Sequence, residues 1–416
     1  MQKNFLKNFA TFSQRARCYL RKGNKHRACA LGKLLFRGDI MSYKTDFDAL
    51  LSELEAKTPD PSRLVTDDPT PNTQRLFEFL KDCYGKKHIS GQQYLFESEL
   101  EDLVYYKYTG KIPAIRGYDF MGISGLGGGY DQIERALDWA RNTGGILTMC
   151  WHWYAPDDMN DSSKPAAFYY KTTDYDRKTS FDLVRAMTDG TPENDFVIRE
   201  IDLVAEQLKR FEAEDIPVIW RPLHEANGGW FWWGDHGNES VEAYKKLWYM
   251  MFDRMMNHHK LKNLIWVWNG QSSKLAVNAN TFDLAGEDIY TDPPSHASQV
   301  ERFREVSSYT HGKMITLSEC GSIPELDEMQ RDGAMWLWWL PWWGQFVHEN
   351  NQDRRPIIDD DGFPRPNPTY MEEDFLCRLF SDERVITLTD LPWYDERKHR
   401  LPTALLKNLE RIKSGR

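Results

Sequence analysis

The sequence predicts an α/β fold, a (β/α)8 TIM barrel, and three observations carry that reading. Eight short runs rich in apolar and aromatic residues recur between residue 88 and residue 342. Segments with apolar residues at three-and-four spacing fall between most of them, and strand–helix–strand repeated eight times is the pattern of this barrel. Finally, each run begins apolar and ends polar and aromatic, as strands do when their C-terminal ends line the working rim of such a barrel. A doubly wound open sheet is the alternative fold.

In chain order, residues 1–40 hold ten Lys/Arg and a single acid, Asp39. They are expected to form an unstructured basic extension, since Lys33 splits the best apolar stretch, ACALGKLLF at 28–36, and no secretory signal is recognisable. By sequence alone a cytoplasmic location follows from that. Residues 41–74 are read as an N-terminal helix (MSYKTDFDALLSELEAK) and a Pro-rich linker, TPDPSRLVTDDPTPN at 58–72. Residues 75–416 are read as the barrel.

Its strands are expected at HISGQQY (88–94), IPAIRGYDF (112–120), GILTMCWHWY (145–154), IPVIWRPLHEANGG (216–229), LIWVWNG (264–270), FDLAGEDIYT (282–291), MITLSECG (314–321) and AMWLWWLPW (334–342). The spacing predicts helices over 131–142, 195–214 and 241–259, the last closed by His258 and His259, which would complement the negative end of its dipole. About forty residues, 155–194, separate the third strand from its helix. The aromatic stretch FYYKTTDY (168–175) within them suggests a wall or lid rather than a plain linker.

Composition narrows the function classes. With 41% hydrophobic and 13% aromatic residues the chain can bury a sizeable core, and no run is long and apolar enough to insert in a membrane. The net charge is −10, and since residues 1–40 carry +9 the body of the chain carries −19, which argues against nucleic acid as a partner. Six cysteines without a CxxC pair make neither a disulfide framework nor a zinc ribbon, and Cys150 and Cys320 fall in apolar runs as small hydrophobes. A monomer is expected.

Two carboxylates stand out. Glu225 ends the fourth strand among Trp220, Trp230, Trp232 and Trp233, where partial desolvation should raise its pKa toward that of a general acid. Glu319 ends the seventh strand, across the barrel mouth. Such a pair suits cleavage of a glycosidic bond. Of the 16 Trp, 13 fall in or just after expected strands, and flat aromatic faces can cover pyranose rings. Trp266 and Trp336 are expected to fill core, whereas Trp151, Trp153, Trp230, Trp232, Trp233 and Trp342 are expected to wall an extended groove.

WRPLHEANGGWFWWG (220–234), LIWVWN (264–269), GEDIY (286–290), LSECGS (317–322) and WWGQF (342–346) together resemble glycoside hydrolase family 26, chiefly endo-acting β-mannanases, over about residues 75–350. The resemblance implies a single catalytic barrel acting on a polysaccharide or oligosaccharide by double displacement with retention, with no metal and no cofactor. It makes Glu225 the acid/base and Glu319 the nucleophile. It further implies that His224 and, less directly, His152 contact the sugar, that Tyr290 orients the nucleophile, that Trp342 is the platform under the reacting ring, and that Trp230 lines the cleft beside it. Ala226 stands where many members have Met, Ser318 where many have Thr, and Trp343 where a small or polar residue is common. Xylan or mixed-linkage glucan is the alternative substrate, and a non-catalytic carbohydrate-binding barrel the alternative of another class.

Two further signals fail on spacing. The glycines of GISGLGGGYDQIERA (122–136) do not fit GxGxxG, because Tyr130 stands where the third glycine belongs, and His224, Glu225 and His236 do not fit HExxH zinc ligation.

Overall fold

The eight apolar runs form eight parallel strands: β1 (His88–Gln93), β2 (Ile115–Asp119), β3 (Ile146–Cys150), β4 (Val218–Arg221), β5 (Leu264–Trp268), β6 (Leu284–Ile289), β7 (Met314–Cys320) and β8 (Trp338–Pro341). Each pairs with its neighbour, and β8 returns to β1 through Trp338 opposite Ile89, which closes the barrel. The structure is a computed structural model that describes residues 43–126, 132–161 and 163–414. The basic segment 1–40 lies outside the described residues, as does part of the glycine run, at 127–131.

Parallel strands covered on both faces read as near-continuous apolar runs, and all but Ile289 of the strand residues are buried. The helices in chain order are α1 (Phe47–Glu55), α2 (Pro71–Cys83), α3 (Glu101–Thr109), α4 (Gln132–Thr143), α5 (Leu183–Ala186), α6 (Pro192–Glu212), α7 (Asn238–Asp253), α8 (Val300–Ser307), α9 (Leu326–Asp332), α10 (Glu373–Ser381) and α11 (Thr403–Lys413). Helix α6 starts where the sequence offers Thr191 as a cap, its side chain accepting from the Asn194 N–H, with Pro192 in the first turn. Between β5 and β6 the connection holds only two 3-10 turns, Ser273–Leu275 and Ala279–Thr281.

Three differences from the sequence expectation have local causes. β4 ends at Arg221, because Pro222 has no N–H to continue the ladder. β8 begins only at Trp338, and Ala334 and Trp336 are buried in the connection that precedes it. Helix α7 runs into a π turn, Arg254–His258, and its histidines have partners of their own: His259 Nε2 lies 2.7 Å from Asp202 Oδ1, and the His258 ring stacks on Tyr43 at 4.6 Å.

The proline-rich segment is seated against the base of the barrel. The Val65 N–H donates to Asp283 (2.7 Å), the Thr66 hydroxyl to the Leu264 carbonyl (2.7 Å) and the Thr70 N–H to the Lys262 carbonyl (2.9 Å). Leu50 and Leu54 of α1 are buried with the core.

Beside β1 and β2 the barrel also buries charge. Arg116 donates to Glu99 (2.6 Å) and to Asp102, and its guanidinium lies 4.2 Å from the ring centres of both Tyr94 and Trp139. Replacing one partner of a buried ion pair strands the other. Arg116→Ala should therefore lower stability by about 3–5 kcal/mol, read as a fall in the denaturant midpoint. A loss below about 1 kcal/mol, the scale of a surface pair, would show that Arg135, which also reaches Glu99, takes over its role.

Candidate active site

The C-terminal ends of β3, β4, β6, β7 and β8 converge over the barrel mouth. After Pro222 the chain adopts left-handed backbone at Leu223 (φ 52°) and Glu225 (φ 53°). Non-glycine residues there cost of order 1–3 kcal/mol each and persist where the surroundings over-determine them. Here the Glu225 N–H donates to the Asn269 carbonyl (2.9 Å), and Asp235 N–H to that of Ala226 (2.7 Å). Gly229 (φ 64°) completes the turn, since a Cβ would meet the Asp235 carbonyl at 2.8 Å. The result aims the Glu225 side chain into the mouth, where it accepts from Trp230 Nε1 (2.8 Å).

Glu319 reaches the same place from β7. Tyr290 OH donates to its Oε2 (2.8 Å) and Arg221 Nη2 to its Oε1. The same guanidinium also donates through Nη1 to Asp288 Oδ2 (2.9 Å) and Asn269 Oδ1 (2.8 Å). A register shift between β6 and β7 at Glu287/Asp288 sets Asp288 opposite Glu319, the re-aiming that bulges perform beside sites. One carboxylate oxygen each from Glu225, Asp288 and Glu319 lie within 4.8 Å of one another. Glu225 is 6% exposed and Glu319 3%. Burial first, and the negative charge of Glu319 second, raise the pKa of Glu225.

His152 and His224 meet on the β3–β4 side, their Nε2 atoms 3.3 Å apart. Asp119, at the end of β2, accepts from the His152 backbone N–H (2.9 Å) and lies 2.5 Å from its Nδ1. Burial would raise the pKa of Asp119, but the charge of His152 and these hydrogen bonds outweigh it and lower the value. His224 is fully buried. Burial, then the charges of Arg221 and His152, hold its pKa well below the usual histidine range, so it is neutral. The Trp342 ring centre lies 5.7 Å from that of His152, and the Trp342 backbone N–H donates to the Cys320 carbonyl (3.0 Å).

The expected wall of six tryptophans does not exist. Trp151 and Trp153 are stacked on each other at 3.9 Å and sealed in the core, as are Trp232 and Trp233, each at most 1% exposed. The indole N–H groups of the second pair are turned inward too: Trp232 donates to the Trp153 carbonyl (2.6 Å) and Trp233 to the His224 carbonyl (2.9 Å). These four rings brace the turn that carries Glu225. Trp342 is 4% exposed, and only Trp230 of the six is half-buried. Trp343 is half-buried as well, its ring edge-on to Phe96 at 4.9 Å.

The long 155–194 excursion is stitched to the Glu225 turn. Ala155–Pro156 pairs antiparallel with Ala166–Ala167, Tyr169 bridges Phe231, and the Tyr170 N–H donates to the Trp230 carbonyl (2.8 Å).

Sequence reasoning passed over Arg221, Asp288, Asn269 and Asp119. The available signal was an arginine inside an apolar strand, which must find buried counter-charges. Three groups of side chains among the described residues are spaced for a metal ion: Asp119, Cys150 and His152; Asp202, His258 and His259; and Glu225, Asp288 and Glu319. Each already has a carboxylate engaged by a cationic or imidazole side chain, respectively His152, Arg254 and Arg221.

The profile of Glycosyl hydrolase family 26 matches residues 65–360. A mannan endo-1,4-beta-mannosidase of Thermothelomyces thermophilus is 32% identical over 341 residues, 78% of this chain and 62% of that protein. Mannan endo-1,4-beta-mannosidase A of Piromyces sp is 34% identical over 347 residues, 80% of this chain and 51% of that protein. The chain thus spans between about half and three-fifths of the length of these curated relatives. The crystal structure of a β-mannanase from a symbiotic protist of the termite Reticulitermes speratus, complexed with gluco-manno-oligosaccharide, superposes with a TM-score of 0.66 at 30% identity, covering 80% of this chain and 98% of that one. With the profile running through every barrel strand and both mouth carboxylates, the chain belongs to glycosyl hydrolase family 26.

Proposed function

We propose that the protein hydrolyses internal β-1,4-mannosidic bonds of mannan, glucomannan or galactomannan by double displacement with retention. The observation that carries this reading is the spacing of Glu225 and Glu319. One oxygen of each lies within 4.8 Å of the other, which suits a retaining pair, whose carboxyls stand about 5–5.5 Å apart, better than an inverting pair at about 6.5–9.5 Å. Their surroundings differ in the sense the two roles require. Glu225 keeps its proton through burial and can give it to the departing glycosidic oxygen. Glu319, oriented by Arg221 and Tyr290, attacks the anomeric carbon and forms the covalent glycosyl-enzyme. Water then attacks that carbon, Glu225 takes the water's proton, and the bond to Glu319 breaks.

Around this pair, Trp342 is the platform beneath the reacting ring and Trp230 both lines the cleft and donates to the acid. His152 stands at the sugar with His224 behind it. Mannose differs from glucose in its axial 2-hydroxyl, and Tyr290 and the histidine pair stand where it can be told apart. Arg221 and Asp288 act as positioning residues for Glu319. Preference for mannan and internal cleavage is supported by the names of the relatives, because the sealed tryptophans remove the argument from an aromatic wall.

The test is incubation with galactomannan, glucomannan, xylan and mixed-linkage glucan, reading reducing ends and product sizes. Oligosaccharides should appear from the mannans with little free mannose early and negligible action on xylan. Early release of mannose or mannobiose alone would overturn internal cleavage. Faster hydrolysis of xylan or mixed-linkage glucan would move the substrate, and no hydrolysis of any would leave the carbohydrate-binding barrel.

A further inference from the structure

Asn269, the residue after β5, is fully buried and is held from two sides of the site. Its backbone carbonyl accepts from the Glu225 N–H (2.9 Å), and its side-chain Oδ1 accepts from Arg221 Nη1 (2.8 Å). Arg221 Nη2 in turn donates to Glu319. One residue therefore touches the backbone of the acid and, through a single guanidinium, the side chain of the nucleophile.

The amide has a single orientation that its partners accept. Nδ2 donates to the Gly286 carbonyl (2.8 Å) and to Gln271 Oε1 (3.1 Å), so exchanging oxygen and nitrogen would set donors against the guanidinium and an oxygen against two oxygens. Strand β6 is shaped to receive it: at Gly286 a Cβ would lie 3.2 Å from Asn269 Cγ and collide with Ser318 Oγ. Gln271 extends the brace, its Nε2 reaching the Asp288 carbonyl at 3.3 Å. Arg221 Nη1 is shared between Asn269 Oδ1 and Asp288 Oδ2 (2.9 Å). Without the Asn269 oxygen, Asp288 alone would set the tilt of the guanidinium at that nitrogen, and with it the direction of the bond to Glu319.

We propose that Asn269 is a positioning residue that sets Glu225 and Glu319 relative to each other, holding the acid through its backbone carbonyl and the nucleophile through Arg221. The inference rests on the reading of these carboxylates as the acid/base and nucleophile of a β-mannanase. It requires no contact with sugar, since Asn269 is 0% exposed.

The experiment is a double-mutant cycle on mannan hydrolysis. Asn269→Ala should lower kcat about a hundredfold, the scale of a misplacement of about 1 Å, while KM stays within about threefold because the side chain meets no substrate. In the Arg221→Lys background the charge remains but the fork that Asn269 holds is gone, so the same substitution should cost no more than about threefold. A role confined to packing would give equal losses in both backgrounds. Asn269→Asp preserves the volume and serves where the alanine variant does not fold: its negative charge competes with Glu319 for Arg221, and kcat should fall at least about tenfold with KM again held. Circular dichroism melts establish the fold of each variant. Wild-type kcat in a folded Asn269 variant, a loss carried in KM, or equal losses in the two backgrounds would overturn this inference alone. Wild-type protein inactive on every mannan would overturn the functional reading with it.

Discussion

Glu319→Ala should lower kcat on mannan by about four orders of magnitude or more while leaving the protein folded, because the covalent step has no substitute nucleophile. The fold should survive, since Arg221 keeps Asp288 and Asn269 as partners when Glu319 is gone, and truncating one side chain at the mouth opens no large cavity in the core. Azide fits the vacated space and carries the negative charge that Arg221 and Tyr290 are arranged to meet. With an aryl mannoside it should therefore attack the anomeric carbon from the nucleophile's side, giving a glycosyl azide of inverted configuration. NMR of the product reads that configuration. Wild-type-like turnover by the folded variant would end the assignment of Glu319 as nucleophile.

The fold was legible because its signals are local. Eight apolar runs bounded by polar ends, with amphipathic segments between, need no partner information to be recognised, and the eight strands lie where those runs are. Their ends were less legible. The reading of 216–229 as one strand missed that Pro222 stops the ladder and that Leu223 and Glu225 then take left-handed backbone, which only the network holding them makes tolerable.

Glu225 and Glu319 could be found from the motif around them, whereas Asp288 could not. Its meeting with Arg221 and Glu319 depends on a one-residue shift between β6 and β7, and such shifts leave no mark in composition. Asp119 was hidden for a similar reason, since its partner His152 is 33 residues away. The tryptophans misled for the opposite reason. Residue type and proximity to a strand end are the same for Trp230, which is half-buried and donates to Glu225, and Trp232, which is sealed against Trp153. What separates them is the direction of the chain after Gly229.

Glu225→Ala should show the second large effect, and its size should depend on the substrate. On polysaccharide the leaving oxygen must be protonated as the bond breaks, and loss of a general acid typically costs 10²–10⁴-fold. On an aryl mannoside with a good leaving group the first step should survive nearly intact. Equal losses on both substrates would show that Glu225 positions substrate instead. The pH profile gives an independent reading. In wild type, kcat/KM on mannan should fall on the alkaline side as Glu225 loses its proton, at a pH above the ordinary carboxylate range because burial and Glu319 raise its pKa. That limb should vanish in the variant.

The same shift has a consequence for stability. A carboxyl that holds its proton more tightly when folded than when unfolded contributes stability at low pH, and that contribution is lost as pH rises from the unfolded pKa through the folded one. Above that window the buried carboxylate is a net cost. Glu225→Ala should therefore melt higher than wild type at alkaline pH, less the hydrogen bond from Trp230, and its melting temperature should decline less steeply between about pH 5 and pH 9. Parallel declines in the two proteins would show that the Glu225 carboxyl is not under the strain that its burial beside Glu319 implies.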